Sequence, residues 1–217
     1  MDTLVFLVVL CGALMHAGWN TVVKGGTDQE LDLALVHLLG AVVCIPLVFV
    51  VGLPTPQAWP FLAASLTVHV AYYLTLNGAY QHGDLGTTYP IMRGTAPLLV
   101  ALSSAFVLGE PLTAMAWLGV LSVTVGVLMV GLARPAEALH HGRAVAYALA
   151  NAVVIMGYTQ IDAQGVRAVS AAGQSAASYV LLLFVIDGAP YPGYVAWKRW
   201  RQGPQAWSQA LDYTRRR

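Results

Sequence analysis

Residues 112–133 read LTAMAWLGVLSVTVGVLMVGLA, with no charged side chain among them. A helix rises about 1.5 Å per residue, so a stretch of this length reaches across the roughly 30 Å hydrocarbon core of a bilayer. Working outward, six more apolar segments of comparable character flank it. The full set is Leu4–Val23, Leu31–Val51, Trp59–Tyr80, Gly86–Leu108, Leu112–Ala133, Arg143–Gln160 and Ala171–Ile186. Brief polar or Gly/Pro-rich turns separate most of them: Gly25 to Asp32, Gly52 to Pro56, Gln81 to Asp84, and Gly109-Glu110-Pro111. Connections this short leave no room for a soluble domain and force neighbouring helices to pack antiparallel. In lipid every backbone polar group must find its partner internally, which selects helices for such segments. The expected fold is therefore all-α, a polytopic transmembrane helix bundle.

The bulk composition agrees. Hydrophobic residues make up 58% of the 217 and charged ones only 10%, where a soluble domain carries about 25% charged residues. A formal net charge of +1 gives no nucleic-acid signature. Cys11 and Cys44 both lie in apolar segments, where packing thiols are a better reading than a disulfide or a metal site. The first segment is not read as a cleaved signal, since Met1-Asp2-Thr3 lacks the positive n-region and no small-residue cleavage site follows.

The longest connection, Arg134 to Gly142, falls after five segments, and the chain then begins again. Five is odd, so a second copy would sit upside down relative to the first, as in many secondary transporters. This divides the chain into a first repeat over residues 1–133, the start of a second over 143–188, and a tail over 189–217. In the tail Tyr191, Tyr194, Trp197, Trp200 and Trp207 alternate with Lys198, Arg199, Arg201 and Arg215-Arg216-Arg217. Aromatic and basic side chains favour the headgroup region, so the tail is expected on a membrane surface in contact with lipids.

Polar groups at membrane depth are costly and usually face a bundle interior or a wet cavity. In the first segment His16, Asn20 and Lys24 recur every four residues, on one face with Gly12. The third carries His69, Tyr73, Asn77 and Tyr80, with Gln81 at its end. The fourth adds Tyr89, Arg93, Ser103 and Ser104, and the sixth adds Asn151, Tyr158 and Asp162; the fifth offers almost nothing polar. A central cavity lined by the first, third, fourth and sixth segments accounts for all four stripes. The plainer alternative is interhelical hydrogen bonding, worth about 0.6 kcal/mol per side chain. Arg93 is the sharpest residue, because an arginine at a helix centre costs about 2.5–3.5 kcal/mol on insertion scales. It either snorkels to the nearer headgroups or stands in the cavity as a cation for an anionic group of a solute. Pro90, Gly94 and Pro97 surround it, and a proline in a helix interior kinks it, which suits a conformational hinge or a merely bent helix.

Glu110-Pro111 reads as a helix stop and restart, with Glu110 as a cap and Pro111 opening the fifth helix. Gly119, Gly126 and Gly131 allow close helix packing, within the bundle or between subunits of a homo-oligomer. No Ser-His or Cys-His arrangement and no phosphate-binding glycine loop occurs. The adjacent His140-His141 point apart on a helix and make a weak metal site. The sequence thus calls for no catalytic centre, no metal and no cofactor.

These motifs resemble a known family. His16-Ala17-Gly18-Trp19-Asn20 with Lys24, Tyr89-Pro90-Ile91-Met92-Arg93-Gly94-Thr95-Ala96-Pro97, and Leu108-Gly109-Glu110 look like the EamA-type proteins of the drug/metabolite transporter superfamily. Tyr158-Thr159-Gln160-Ile161-Asp162 with Gly165-Val166-Arg167 looks like the opening of that family's second repeat. The resemblance covers residue 1 to about 188. It implies ten spans in two inverted five-helix repeats, a central substrate cavity, and secondary transport by alternating access, with export or exchange of small metabolites such as amino acids. It further implies a bacterial inner membrane location. On it, His16, Trp19, Asn20, Tyr89, Arg93 and Tyr158 are site residues for a small-molecule solute, joined from the polar stripe by Tyr73, Asn77 and Tyr80. Pro90, Gly94 and Pro97 are hinge candidates.

The chain departs from that pattern by ending after about two helices of the second repeat. It is expected to be a truncated transporter, with a non-transporting membrane scaffold or subunit as the alternative and an intramembrane enzyme as a remoter one. Orientation conflicts as well. The family places the amino terminus in the cytoplasm, so seven spans would put the basic tail outside, against the positive-inside tendency. A six-span form, with the seventh segment not crossing, would return it.

Overall fold

The structure, a computed structural model, describes residues 3, 7–8, 10–15, 18, 26–131 and 142–216. The described part of the first segment is helical. After it come α1 (Gln29–Val51), a 3-10 turn at Pro56–Ala58, α2 (Trp59–His82), α3 (Leu85–Phe106), α4 (Ala114–Gly131), α5 (Gly142–Ala171), α6 (Ala176–Asp187), α7 (Pro190–Arg201) and α8 (Pro204–Arg216). Among the described residues there is no strand, and the fold is the helical bundle expected. Among the described residues four stretches are long and apolar enough to cross a membrane: Glu30–Val51, Ala114–Gly131, Gly142–Ala171 and Ala176–Arg201. α2 and α3 have the length, with 24 and 22 residues, but carry polar side chains along one face. Large apolar side chains point outward along the helices, Phe49 at 85% and Phe106 at 79% exposure, as an exterior in contact with lipid requires.

The helices divide into two compact units, residues 51–180 and residues 1–50 with 181–217. In the first of these, α5 packs along both α2 and α3, and α4 packs along α3. Small residues set the spacing. Ala79, Ile91, Met92 and Ala148 form one buried cluster, and Ala96, Ala152 and Ile155 a second. A Cβ on Gly131 would come within 2.8 Å of the Pro90 ring, so α3 and α4 can approach closely only without it. Gly119 and Gly126, by contrast, face open space.

Two helix limits differ from expectation. The sixth segment does not stop at Gln160; α5 runs to Ala171 because its polar residues have partners. Asp162 accepts the Tyr179 hydroxyl proton at 2.8 Å, and Arg167 pairs with Glu110 at 2.6 Å. The helix ends where Gly173 takes a positive φ of 74°, and the Gln174 amide bonds back to the Val169 carbonyl at 3.1 Å, the Schellman arrangement. The Gln174 side chain then fastens this turn to the loop before α2, accepting from the Thr55 amide at 2.7 Å. Pro111 does not open the fifth helix either. α4 begins at Ala114, and Thr113 caps it by accepting the Ala116 amide at 3.2 Å, which leaves Glu110 free for Arg167.

In the other unit α1, α7 and α8 enclose Leu31, Ala34, Val195 and Ala210. Asp28 caps α1 by accepting the Leu31 amide at 3.1 Å and also pairs with Arg199 at 2.8 Å. Glu30 pairs with Lys198 at 2.7 Å, and Tyr213 donates its hydroxyl to Asp32 at 2.8 Å. The start of α1 is thereby tied to both tail helices.

Candidate functional site

Tyr89 and Arg93 lie one turn apart on α3, which stacks their side chains on a single face. The Arg93 guanidinium carbon sits 5.5 Å from the Tyr89 ring centroid, within cation–π distance. The Tyr89 and Tyr158 hydroxyls, the latter brought in by α5, lie near the same guanidinium. Tyr72 and Tyr80 of α2 place two more phenols near the same charge. Arg93 is half-buried, and among the described residues none of the ion pairs includes it. Among the described residues this permanent cation therefore has phenols and a π face around it and no carboxylate paired with it.

A second layer of rings orients Tyr158. His69 stacks on it at 4.5 Å between centroids and 27° between planes, and Tyr72 meets it edge-on at 6.0 Å and 87°. The His69 Nδ1 donates to the Ser65 carbonyl at 2.8 Å, which places the proton of the neutral ring on Nδ1 and leaves Nε2 as an acceptor. α5 itself is anchored to both neighbours by amides. Asn151, 1% exposed, donates from Nδ2 to the Tyr72 carbonyl at 3.0 Å and to Thr75 Oγ1 at 2.8 Å. Gln160 donates to the Val100 carbonyl at 3.1 Å and to Ser104 Oγ at 2.9 Å. The Tyr158 ring thus projects from a helix pinned on both sides.

A family model describing the EamA-like transporter family matches residues 3–132, more than half of the chain. The chain belongs to the EamA-like transporter family. Neither a curated protein nor a solved structure matches it. Membership makes it a membrane transporter of the drug/metabolite transporter superfamily, a multi-pass protein in contact with lipid and a solute.

For this EamA-like transporter the cluster gathers Tyr80, Tyr89, Arg93 and Tyr158 of the residues singled out from sequence. Tyr73 touches its edge, meeting Tyr72 at 5.4 Å. Asn77 is exposed on α2 and makes none of the cluster's contacts. His16, Trp19 and Asn20 lie outside the described residues. Pro90 and Gly94 face α4: a Cβ on Gly94 would lie 3.2 Å from Leu128 and 3.3 Å from Val127. Pro97 sits inside α3, one turn beyond Arg93. Asn151, expected to line a cavity, is instead a buried tie between α2 and α5.

Tyr72 was not among the sequence candidates, although it touches more of the cluster's rings than any other tyrosine. The stripe through Tyr73 is drawn at four-residue spacing from His69. A three-residue step from His69 reaches Tyr72 and lies on the same helical face. That step was the available signal.

Proposed function

We propose that this EamA-like transporter moves small metabolites across a bacterial inner membrane by alternating access, exporting or exchanging them, with Arg93 at the solute site. The observation that carries the reading is the half-buried guanidinium, surrounded by Tyr72, Tyr80, Tyr89 and Tyr158 and lacking an acidic partner among the described residues. A cation at membrane depth without a counter-ion has an interaction to give to a solute, and neutral phenols yield to an anion at small cost. Pro90, Gly94 and Pro97 lie along the helix that carries Arg93 and are the proposed hinge. The inverted-repeat organisation, with the second repeat beginning near residue 143, and the lipid-facing position of the tail belong to the same reading.

The test is metabolite profiling of cells expressing the chain or its Arg93→Ala variant at matched membrane levels. At least one metabolite should accumulate in the medium of the wild type, and Arg93→Ala should return it at least tenfold toward the level of cells without the chain. Equal accumulation in both strains removes Arg93 from the site.

A further inference from the structure

The distribution of acids narrows the solute class, in an inference that rests on the transport reading and deepens it. The chain has ten Asp and Glu residues. None falls within residues 4–23, and Asp162 is the only one inside α2, α3, α4 or α5. Its Oδ1 accepts the Tyr179 hydroxyl on α6, and among the described residues it forms no ion pair. Asp84 caps α3, accepting from the Gly86 amide at 2.9 Å, and Glu110 holds Arg167. No acid in α2 to α5 is thus left unengaged to receive a positive group on a solute, and the sequence places none in residues 4–23; Asp187, at the end of α6, belongs to the other unit.

The aromatic faces give the same answer. An ammonium group can bind over a tyrosine ring, but the Arg93 guanidinium already occupies one face of Tyr89, and His69 is stacked on one face of Tyr158. A second cation near these rings would meet Arg93 as a like charge. A carboxylate would meet a planar fork of N–H donors and several phenol O–H donors, the geometry that holds planar anions best.

We propose that the site takes small organic monoanions, recognised through a carboxylate on Arg93, and that it discriminates against zwitterions of the same skeleton. The contrast is sharpest between a 2-hydroxy acid and the matching 2-amino acid, which differ only in the group that would carry the extra charge.

The test uses the 217-residue chain reconstituted in liposomes, with radiolabelled lactate against alanine and 3-phenyllactate against phenylalanine. Ligand-induced shifts of the thermal midpoint are read in parallel. The hydroxy acid of at least one pair should be carried ten times faster or more than its amino partner. That preference should vanish in Arg93→Gln and persist in Arg93→Lys, which keeps the charge and controls for folding. Amino acids carried as fast as their partners overturn the monoanion class and leave transport standing. Hydroxy acids that raise the midpoint of wild type but not of Arg93→Gln, yet do not move, keep the anion site and overturn transport. If nothing is carried and nothing shifts the midpoint, both readings fall.

Discussion

Gly165 shows how tightly single side chains are specified. A Cβ at this position would lie 2.2 Å from Cε2 and 2.4 Å from Cζ of Tyr179, whose side chain is fully buried and held by Asp162. The ring cannot swing away without losing that bond, so Gly165→Ala should cost about 1–3 kcal/mol, the usual range for overpacking. Gly119→Ala is the control, since nothing lies within 4 Å of its added Cβ. In a fluorescence-detected melt in detergent, the first variant should unfold at a lower temperature than wild type and the second should not. A Gly165→Ala protein as stable as wild type would mean that the Tyr179 contact is not made. At this scale the sequence revealed the chemistry that is rare in spans, and little else. Arg93, Tyr89 and Tyr158 stood out because charge and phenol are conspicuous among Leu and Val. The structural tie made by Asn151 could not be told from a cavity-lining role, because an amide at membrane depth satisfies either equally well.

Among the helices, α3 carries the most consequence, since it holds the cation together with two internal prolines, Pro90 and Pro97. Pro97 has no amide proton, so the carbonyl four residues earlier, that of Arg93 itself, loses its helical donor. The charged side chain and the weakened backbone bond therefore belong to one residue. Pro97→Ala restores the donor and should raise the melting temperature, because a proline in a helix interior costs about 3 kcal/mol. If the helix must flex there during transport, flux should fall several-fold in the more stable variant. Unchanged flux would make the bend a matter of shape alone. Helix existence was readable from hydropathy for α1 to α5, since long apolar runs have one solution in lipid. Helix ends were less so. The end of α5 moved from Gln160 to Ala171 because Asp162 and Arg167, polar enough to suggest a surface, are satisfied by Tyr179 and Glu110, which are distant in sequence.

For the whole molecule, the contacts between chain segments constrain how often the chain crosses the bilayer. Asp28, Glu30 and Asp32 at the start of α1 bond to Arg199, Lys198 and Tyr213 in the tail, so these residues lie at one face of the membrane. An even number of crossings must separate them. Counting α1 to α5 leaves α6, with or without α7, as the sixth, whereas a six-span chain would set the partners on opposite faces. Arg167 with Glu110, and Gln174 with Thr55, obey the same alternation. If successive segments cross in alternation, the connections on one face carry Lys24, Arg134, Arg143 and the six basic residues from Lys198 onward, nine of the chain's eleven Lys and Arg residues. The positive-inside tendency assigns that face to the cytoplasm and the start of the first segment to the outside. This orientation is opposite to the one the family resemblance implies, and it removes the conflict that the basic tail created. Two single-cysteine variants decide it, Gln57→Cys and Ser208→Cys, each with Cys11 and Cys44 changed to serine. Both positions are exposed. An impermeant maleimide added to intact cells should label position 57 and spare position 208 until the membrane is opened. The reverse pattern would restore a cytoplasmic amino terminus and show that these charges do not set the orientation. Equal behaviour at the two sites would mean that the seventh segment does not cross, and the ion pairs at the start of α1 would then have to break in the membrane.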